Sequence, residues 1–434
     1  MPPKKLDSKV EKLEVNFSDN LRCEIISFSP IQISQETACR VIVLGNIRHN
    51  AQTVSAEWLA KEYLQSSNLS DLYSHLSGQF CLLIFDASKR QMHLINDPMG
   101  IQTCYYSIQN DCLYNSESLD LIKDREEVDC TLSDQAIFNY FYFHCIPAPA
   151  TIYRECSKLE PGKAVTLSPD GGIDLTPLYC PEFASTNKDT LQLQKRCMEV
   201  IDTAVKKYVS DDCGAFLSGG LDSSTVAGML ARHQANARTF SIGFDLDGYD
   251  ETPYAELTAK HFCTQHAVHY MQADQAANEF VTVAQYFEEP FGNSSAMAAY
   301  FCAKFAKASG VNSLLAGDGG DELFAGNSRY AKQKLFEPFF NAPSWMKSTL
   351  KAIFENSFTR KIPLLSKAAS YIDQASIPLP DRLGTYNFVQ RIGINEMFSG
   401  DFLQRVDSGQ PILQQQSRYR ECTSKDPVDR MLYL

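Results

Sequence analysis

Apolar and polar residues follow two different rhythms along the chain. Residues 22–179 contain short apolar runs at 23–28, 40–45, 79–86 and 91–95, each bounded by Asn, Asp, Gly or Ser, and these runs predict β-strands. Helical spacing interrupts them at 55–65 and 133–144, where Ser133 and Asp134 indicate an N-cap. This pattern predicts an α+β domain built on packed antiparallel sheets.

The second half of the chain alternates short apolar strands with amphipathic helices. A linker is predicted at 177–187 and a helix at 191–209. Strands are predicted at 214–217, 239–244, 266–270 and 313–316, with helices at 224–233, 254–262, 273–287 and 297–308. Such alternation is typical of a doubly wound parallel sheet. We therefore expect two domains, over residues 1–182 and 190–434.

Composition narrows the class of protein. The 434 residues include 52 acids and 40 bases, which give a net charge of −12. This balance argues against a nucleic-acid partner, because the basic residues form no cluster apart from the short pair Lys4 and Lys5. Since no apolar run is long enough for a membrane helix and the N-terminus has no signal-like apolar stretch, we expect a cytoplasmic protein without a membrane partner. The 14 cysteines include no C-x-x-C pair and are expected to be reduced thiols.

The strongest chemical motif lies at residues 215–224, which read AFLSGGLDSS. An apolar strand runs into Ser218, Gly219 and Gly220, and a helix follows at once. Glycines allow a sharp turn close to a ligand, and the N–H groups at a helix N-terminus attract anions such as phosphate. The Gly-Lys-Ser/Thr ending of a Walker A loop is missing. Taken alone, the motif also fits a Gly-rich turn that binds nothing.

A second strand end carries three acids within five residues. Residues 314–324 read LLAGDGGDELF, with Asp318, Asp321 and Glu322 after the glycines. Crowded carboxylates repel one another, so a cation is expected, and Asp222 and Asp321 are predicted to hold Mg²⁺. A solvated acidic turn is the alternative, but both aspartates follow equivalent strands of one predicted sheet.

Together these segments resemble the asparagine synthetase family and its PP-loop, the ATP-binding loop of the N-type ATP pyrophosphatases. Ser218-Gly219-Gly220-Leu221-Asp222-Ser223 matches the loop, and Glu289-Pro290-Phe291-Gly292 and Arg329-Tyr330 extend the match over residues 212–330. The resemblance implies a PP-loop domain of the adenine nucleotide α-hydrolase type. It also implies that ATP and Mg²⁺ activate a carboxylate as an acyl-adenylate, with release of pyrophosphate, before an amine attacks to form an amide.

The resemblance also implies the role of each residue. Asp318 would be a base or an amine-orienting group, and Asp222 and Asp321 would bind Mg²⁺. The pyrophosphate part of ATP would contact Ser218, Gly219, Gly220, Ser223 and Ser224. The adenosine pocket would be lined by Leu217, Ile242, Gly243, Ala316 and Gly317. His266 and His269 are interpreted as packed or capping residues rather than site residues.

The first half resembles the second part of a class II glutaminase domain, through residues 76–86, residues 96–101 and Tyr105-Tyr106. Its catalysis requires an N-terminal cysteine, whereas Pro2 and Pro3 stand near this N-terminus and Cys23 lies in a strand-like run. We therefore expect a degenerate glutaminase-like sandwich of the Ntn type. Lasso-peptide cyclases and β-lactam synthetases are similar, and they use an amine already present in the substrate.

Three functions are compatible with these features. The first is an amide-forming ligase without glutaminase activity, acting on a small-molecule or peptide carboxylate and amine. The second is an asparagine synthetase supplied with ammonia from another source, and the third is a non-catalytic structural or regulatory homologue. The third stays open because the family continues into a segment with a catalytic lysine, whereas this chain stops at residues 426–434. A homodimer or a partner chain that supplies this segment is the assembly we would expect.

Overall fold

The computed structural model describes residues 10–18, 21–50, 52–66, 68–168, 171–184, 189–246, 248, 250–354 and 363–434. Pro2, Pro3, Lys4, Lys5 and linker residues 185–188 lie outside this part. The chain divides into two compact units. Unit 1 comprises Met1–Pro181, Gln285–Gly292 and Gly400–Asp407, and unit 2 comprises Glu182–Ala284, Asn293–Ser399 and Ser408–Leu434.

Unit 1 is built mainly from strands. The strands are β1 (Glu11–Ser18), β2 (Leu21–Ser27), β3 (Gln32–Ile33), β4 (Cys39–His49), β5 (Gln52–Thr53), β6 (Leu76–Asp86), β7 (Gln91–Asn96), β8 (Tyr105–Gln109), β9 (Cys112–Ser116), β10 (Ser157–Lys158), β11 (Lys163–Leu167) and β12 (Ile173–Pro177). The helices between them are α1 (Ala56–Ser66), α2 (Leu69–Ser74), α3 (Leu119–Lys123) and α4 (Asp134–Phe143). As predicted, Ser133 caps α4 by accepting a hydrogen bond from the Ala136 N–H.

These strands form two sheets, ordered β1-β2-β9-β8-β10 and β12-β11-β7-β6-β4-β3, with β5 paired to β4. One face of β4 and β6, with Ile42 and Leu83, packs against Val15 of the other sheet. Their opposite face packs against Leu59 of α1, while α3 and α4 cover the outer face of the five-stranded sheet. The predicted α+β sandwich is confirmed, except that β2 and β9 pair in parallel rather than antiparallel.

A buried polar network crosses the outer face of the seven-stranded sheet. The His93 ring contacts the Tyr63 hydroxyl at 3.3 Å and the Thr166 hydroxyl at 2.9 Å. The Tyr63 hydroxyl donates to Asp86 at 2.9 Å. Burial, with a smaller contribution from the positive charge of Lys89, lowers the pKa of His93 below its ordinary value. Neutral imidazole is therefore the form that the folded unit favours.

We expect unit 1 to lose stability as the pH falls below 6.5, the ordinary pKa of histidine. In that range the unfolded chain takes up a proton that folded His93 resists, which costs up to about 1.4 kcal/mol for each unit by which the pKa is lowered. His93→Asn should flatten this dependence. Urea unfolding of both proteins between pH 5 and 8 would measure it, and equal slopes would contradict the assignment.

The rest of the chain forms one parallel sheet and many helices. The strands are β13 (Cys213–Phe216), β14 (Arg238–Phe244), β15 (Gln265–Met271) and β16 (Ser313–Leu315). The helices are α5 (Thr190–Lys206), α6 (Leu221–His233), α7 (Thr252–Phe262), α8 (Ala273–Ala284), α9 (Ser295–Ala308), α10 (Gly320–Phe324), α11 (Ser328–Phe340), α12 (Ser344–Phe354), α13 (Pro363–Ala375), α14 (Phe388–Ile392), α15 (Ile394–Met397), α16 (Gly400–Leu403), α17 (Gln410–Glu421) and α18 (Pro427–Tyr433). All of them except α16 belong to unit 2.

The sheet of unit 2 has the strand order β15-β14-β13-β16, and every neighbouring pair is parallel. Ala215 of β13, Ala227 of α6 and Ala255 of α7 pack in one core, while Phe240 of β14 and Cys302 of α9 pack in another. The predicted doubly wound parallel sheet is confirmed. Among the described residues, no helix combines the length and the apolar character needed to cross a bilayer.

Two segments from the second half of the chain pack in unit 1, although both lie inside the predicted 190–434 domain. In the segment Gln285–Gly292, the Glu288 carboxylate accepts hydrogen bonds from the Ser118 hydroxyl and the Leu119 N–H. In the segment Gly400–Asp407, Arg405 donates to Asp134 at 2.9 Å. The helix predicted over 273–287 ends at Ala284, where the chain passes into the segment that belongs to unit 1.

Candidate functional site

The first loop of the site joins β13 to α6 through residues 217–220. The Leu217 N–H donates to the Phe240 carbonyl at 2.9 Å, so the sheet fixes the start of the loop. Gly219 has a φ of 84°, a left-handed conformation that a residue with a side chain rarely adopts. The turn ends at Gly220, and α6 begins at Leu221. The N–H groups of the first helical turn therefore face away from the strand without intrahelical acceptors.

Ser223 stabilises this loop from the helix side. Its hydroxyl accepts a hydrogen bond from the Ser218 N–H at 3.1 Å and lies 3.0 Å from the Ser218 hydroxyl. It also donates to the Gly220 carbonyl at 3.3 Å. Ser223 is buried and shapes the loop, whereas Ser218 is exposed and its hydroxyl also accepts the Gly220 N–H at 3.3 Å.

Two residues of the predicted phosphate loop turn toward α7 instead. A Cβ atom on Gly219 would lie 2.5 Å from the Tyr254 Cβ, so this glycine allows α7 to pack closely. The Ser224 hydroxyl lies 3.2 Å from that of Thr258, also in α7. Both residues thus contribute packing and hydrogen bonding behind the loop.

The second loop, residues 316–319, joins β16 to α10 and lies against the start of α6. A Cβ atom on Gly317 would lie 2.6 Å from the Ser223 nitrogen and 2.7 Å from the Asp222 carbonyl carbon. Gly319 adopts a φ of 86°. The two loops touch because both follow parallel strands that are neighbours in the sheet.

Gly317→Ala is expected to separate these loops. The added Cβ would meet backbone atoms, which cannot rotate away as a flexible side chain can, so we expect a loss of about 1–3 kcal/mol in stability of unit 2. Gly220→Ala is the matched control in unit 2, because the nearest atom to its Cβ position is the Ser218 Oγ at 3.3 Å, a side-chain atom that can shift. Urea unfolding of both variants would measure the difference, and equal stabilities would contradict the close approach.

A cavity of about 490 Å³ opens between the two loops. It gathers residues that the sequence predicted separately for phosphate, metal and catalysis, namely Ser218, Gly220, Asp222, Ser223, Asp318 and Asp321, together with Ala316 and Gly317, which were predicted for adenosine. Leu221, Gly319, Gly320 and Glu322 line it as well. The cavity therefore combines helix N–H groups with four carboxylates.

Asp222 and Asp321 are the two residues that could hold a divalent cation. Each is half-buried and lines the cavity. Two carboxylates complemented by water and phosphate oxygens are a common Mg²⁺ environment in proteins. Among the described residues, no group of three or more His, Cys, Asp or Glu side chains is arranged to bind a metal. The donor set fits an ion that is held partly by a phosphate-bearing substrate.

An apolar cavity of about 310 Å³ adjoins the first loop, and Ser218 lines both cavities. It contains Leu217 and Ile242, which were predicted for adenosine, whereas the predicted Ala316 and Gly317 line the other cavity. Gly243 faces away, since its Cβ position lies 2.6 Å from the Tyr270 ring. The combination of an apolar cavity and a polar one suits a ligand with a planar apolar end and an anionic end.

Several lining residues were not predicted from the sequence. Helices α7 and α9 contribute Thr252, Ser295, Ala298, Ala299 and Cys302 to the apolar cavity. In the sequence, only the small size of these residues distinguishes them. His266 and His269 lie outside both cavities, and His266 instead contacts Thr239 at 3.0 Å. Burial lowers the pKa of His266, as expected of a packed histidine.

In unit 1, Cys23 is a core residue. It lies in β2, paired with Val15 of β1 and Leu113 of β9, and its side chain is 1% exposed. Burial raises the pKa of its thiol. All 14 cysteines lie in the described part of the chain and are free thiols.

Two family models match this chain, one in each half. The family model "Asparagine synthase" matches residues 197–434, and the model "Glutamine amidotransferase domain" matches residues 46–179. The first match covers more than half of the chain and includes both loops of the site.

Two of the relatives are each less than 30% identical to this chain. The chain is 29% identical to the glutamine-hydrolyzing asparagine synthetase 1 of Bacillus subtilis (strain 168) over 312 residues, which are 71% of this chain and 48% of that protein. It is 25% identical to the amidase chry2 of Gibberella zeae over 378 residues, which are 75% of this chain and 54% of that protein. The chain thus spans about half the length of the curated relatives that it matches.

Proposed function

The chain belongs to the asparagine synthase family, and on this basis we propose that it is an ATP-dependent ligase that joins a carboxylate to an amine. The observation that carries the proposal is the meeting of the two loops around one cavity. Ser218 and Asp222 follow β13 and Asp321 follows β16, yet all three line the same 490 Å³ space. Parallel sheets bind ligands at this edge, beyond the carboxyl ends of their strands.

The nucleotide would lie across both cavities. Leu217 and Ile242 provide an apolar surface for adenine, while the first N–H groups of α6 and the Ser218 hydroxyl suit phosphate oxygens. ATP with Mg²⁺ would supply the activation of the carboxylate as an acyl-adenylate, with pyrophosphate as the other product. Asp222 and Asp321 would hold the cation.

The four carboxylates of the cavity support both the cation and the amine. Asp222, Asp318 and Asp321, together with Glu322, repel one another unless positive charge lies among them. A divalent ion would neutralise the pair that binds it. Asp318 is exposed to solvent within the cavity and would accept a proton from the attacking amine or orient that amine.

Release of pyrophosphate tests the proposed reaction. The protein would be incubated with ATP, Mg²⁺ and ammonium, with and without aspartate, and then with other carboxylates and amines. Asparagine formation would identify an asparagine synthetase, whereas pyrophosphate release that needs a substrate bearing its own amine would identify the ligase that we favour. A protein that neither binds ATP nor releases pyrophosphate with any pair would be the non-catalytic homologue, and the proposal would fail.

We further propose that unit 1 has no glutaminase activity. Cys23 lies within a strand paired on both sides, so neither its thiol nor a free α-amine is available as a nucleophile. Glutamine should therefore not replace ammonium or an amine substrate. Cys23→Ala should leave any such activity unchanged, and glutamine hydrolysis that disappears in this variant would overturn the proposal.

A further inference from the structure

A third cavity, of about 360 Å³, opens at one end of the sandwich in unit 1. Its wall comes from β1, from the start of β4 and from the turn between β6 and β7. The polar side chains that line it belong to Asn16, Thr37, Arg40, Asp86 and Arg90. None of these residues belongs to the proposed ligase site, which lies in unit 2.

Arg40 lies at the end of the face of β4 that packs between the two sheets, and its side chain is exposed. Alternate residues of a strand share a face, and Ile42 and Leu44 on the face of Arg40 belong to the core between the sheets. Arg40 is also the cross-strand partner of Phe85, another residue of that core. The Arg40 guanidinium therefore lies at the solvent-exposed end of the row of side chains that includes Ile42 and Leu44. Because this side chain is exposed, it is accessible to an anion from solvent.

Among the described residues that line the cavity, the one carboxylate already has a full set of partners. One oxygen of Asp86 accepts hydrogen bonds from the Ser88 N–H at 2.9 Å, the Ser88 hydroxyl at 2.6 Å and the Lys89 N–H at 3.0 Å. Its other oxygen accepts from the Tyr63 hydroxyl at 2.9 Å and lies 3.6 Å from the Lys89 ammonium. The negative charge of Asp86 is thus balanced by Lys89, and not by the two arginines of the cavity, Arg40 and Arg90.

Arg40 and Arg90 consequently keep their positive charge uncompensated. Within the described part of the chain, neither guanidinium forms an ion pair, in a protein whose net charge is −12. Arg90 is fixed by the turn that Asp86 caps, and its own φ is 53°. Asn16 and Thr37 add neutral hydrogen-bond donors at the same cavity. Two guanidiniums with amide and hydroxyl donors match an oxyanion with two negative charges.

We propose that this cavity binds the phosphate group of a small molecule. Its volume lies within the range of small-ligand pockets, about 300–1,000 Å³, and exceeds what a single phosphate group fills. The ligand is therefore a phosphate monoester whose organic part occupies the remaining space beside Val15 and Phe85. This site is independent of the ATP site and would bind its ligand whether or not the chain is a ligase.

Protection from phenylglyoxal, which modifies accessible arginines, tests the proposal at the level of single residues. The full chain would be treated with and without inorganic phosphate, and modification of Arg40, Arg90 and Arg22 would be followed by peptide mass spectrometry. At a phosphate concentration ten times Kd, the two cavity arginines should react about tenfold more slowly. Arg22, an exposed arginine of β2 outside the cavity, should react at an unchanged rate.

Variants show whether the two arginines share one anion. In Arg40→Gln, phosphate should no longer protect Arg90, whereas Arg22→Gln, which removes the same charge, should leave the protection of Arg90 intact. Retained protection in Arg40→Gln would overturn a shared site. Equal protection by acetate at matched ionic strength would overturn phosphate as the ligand class, and equal slowing of all three arginines would reduce the effect to general screening.

Discussion

Asp222→Asn is expected to lower pyrophosphate release by about a thousandfold, which corresponds to ~4 kcal/mol of transition-state stabilisation. Asparagine keeps the size of the side chain and removes the charge that the cation needs. Asp222 lies at the start of α6, in the cavity that both loops share, and its carboxyl carbon is 2.4 Å from the position that a Cβ on Gly320 would occupy. A neutral side chain held there cannot replace an ionised oxygen ligand.

Asp211→Asn is the matched control, because Asp211 is an exposed acid that precedes β13 whereas Asp222 follows it. Its pyrophosphate release should equal that of the unchanged protein. Raising the Mg²⁺ concentration should restore part of the Asp222→Asn activity if the lost interaction is with the ion. Undiminished release by Asp222→Asn would remove Asp222 from the proposed cation site, and a similar loss in both variants would point to net charge instead.

The sequence was most informative about the parallel sheet and its loops. Strands predicted at 214–217 and 239–244 correspond to Cys213–Phe216 and Arg238–Phe244. Strands covered on both faces are continuous apolar runs, which single sequences display clearly. The loops that carry the glycines and acids were expected to meet, because neighbouring parallel strands end at the same edge of the sheet.

The direction in which each loop residue faces could not be predicted. Gly219 and Ser224 belong to the predicted phosphate loop, yet they contact α7, while Ser218 and Gly220 line the cavity. Neighbouring residues of a tight turn point in different directions, and one-dimensional spacing does not distinguish them. The small residues of α9 that line the apolar cavity were missed for a related reason, since Ala and Ser carry no chemical signal of their own.

The local sequence pattern also could not predict that Gln285–Gly292 belongs to unit 1. Helical spacing continues to Phe287, so α8 was expected to include it, but the helix ends at Ala284. Just after the predicted helix, the Glu288 carboxylate accepts hydrogen bonds from Ser118 and Leu119, about 170 residues earlier in the chain, and local spacing does not reveal such distant partners. Motif similarity identified Glu289 and Pro290 as family residues without indicating which part of the fold they complete.

Lys158→Met is expected to destabilise unit 1 by about 3 kcal/mol, because it leaves a largely buried carboxylate without its cation. The Lys158 ammonium lies 2.6 Å from Glu289, and the two side chains are only 16% and 10% exposed. Glu289 also accepts the Ile152 N–H at 2.9 Å. Burial, followed by the charges of Glu289 and Glu288, raises the pKa of Tyr105, the strand partner of Lys158. Tyr105 therefore stays a neutral phenol, which adds no negative charge beside Glu289 but also supplies no positive charge to it.

Lys12→Met provides the control, because Lys12 is 43% exposed in the same unit and pairs at 3.1 Å with Glu14, which is 69% exposed. Its other partner, Glu24, keeps an ion pair with Arg125 at 3.2 Å in this variant. An exposed pair contributes about 1 kcal/mol or less. Hydrogen exchange of peptides covering β8 and β10, followed by mass spectrometry, would report the local free energy of opening in each variant. The double variant Lys158→Met with Glu289→Gln should recover part of the loss, since no uncompensated charge remains buried. If Lys158→Met cost no more than Lys12→Met, the ion pair would contribute nothing to holding Gln285–Gly292 in unit 1. The Glu288 contacts to Ser118 and Leu119 would then have to account for the position of this segment.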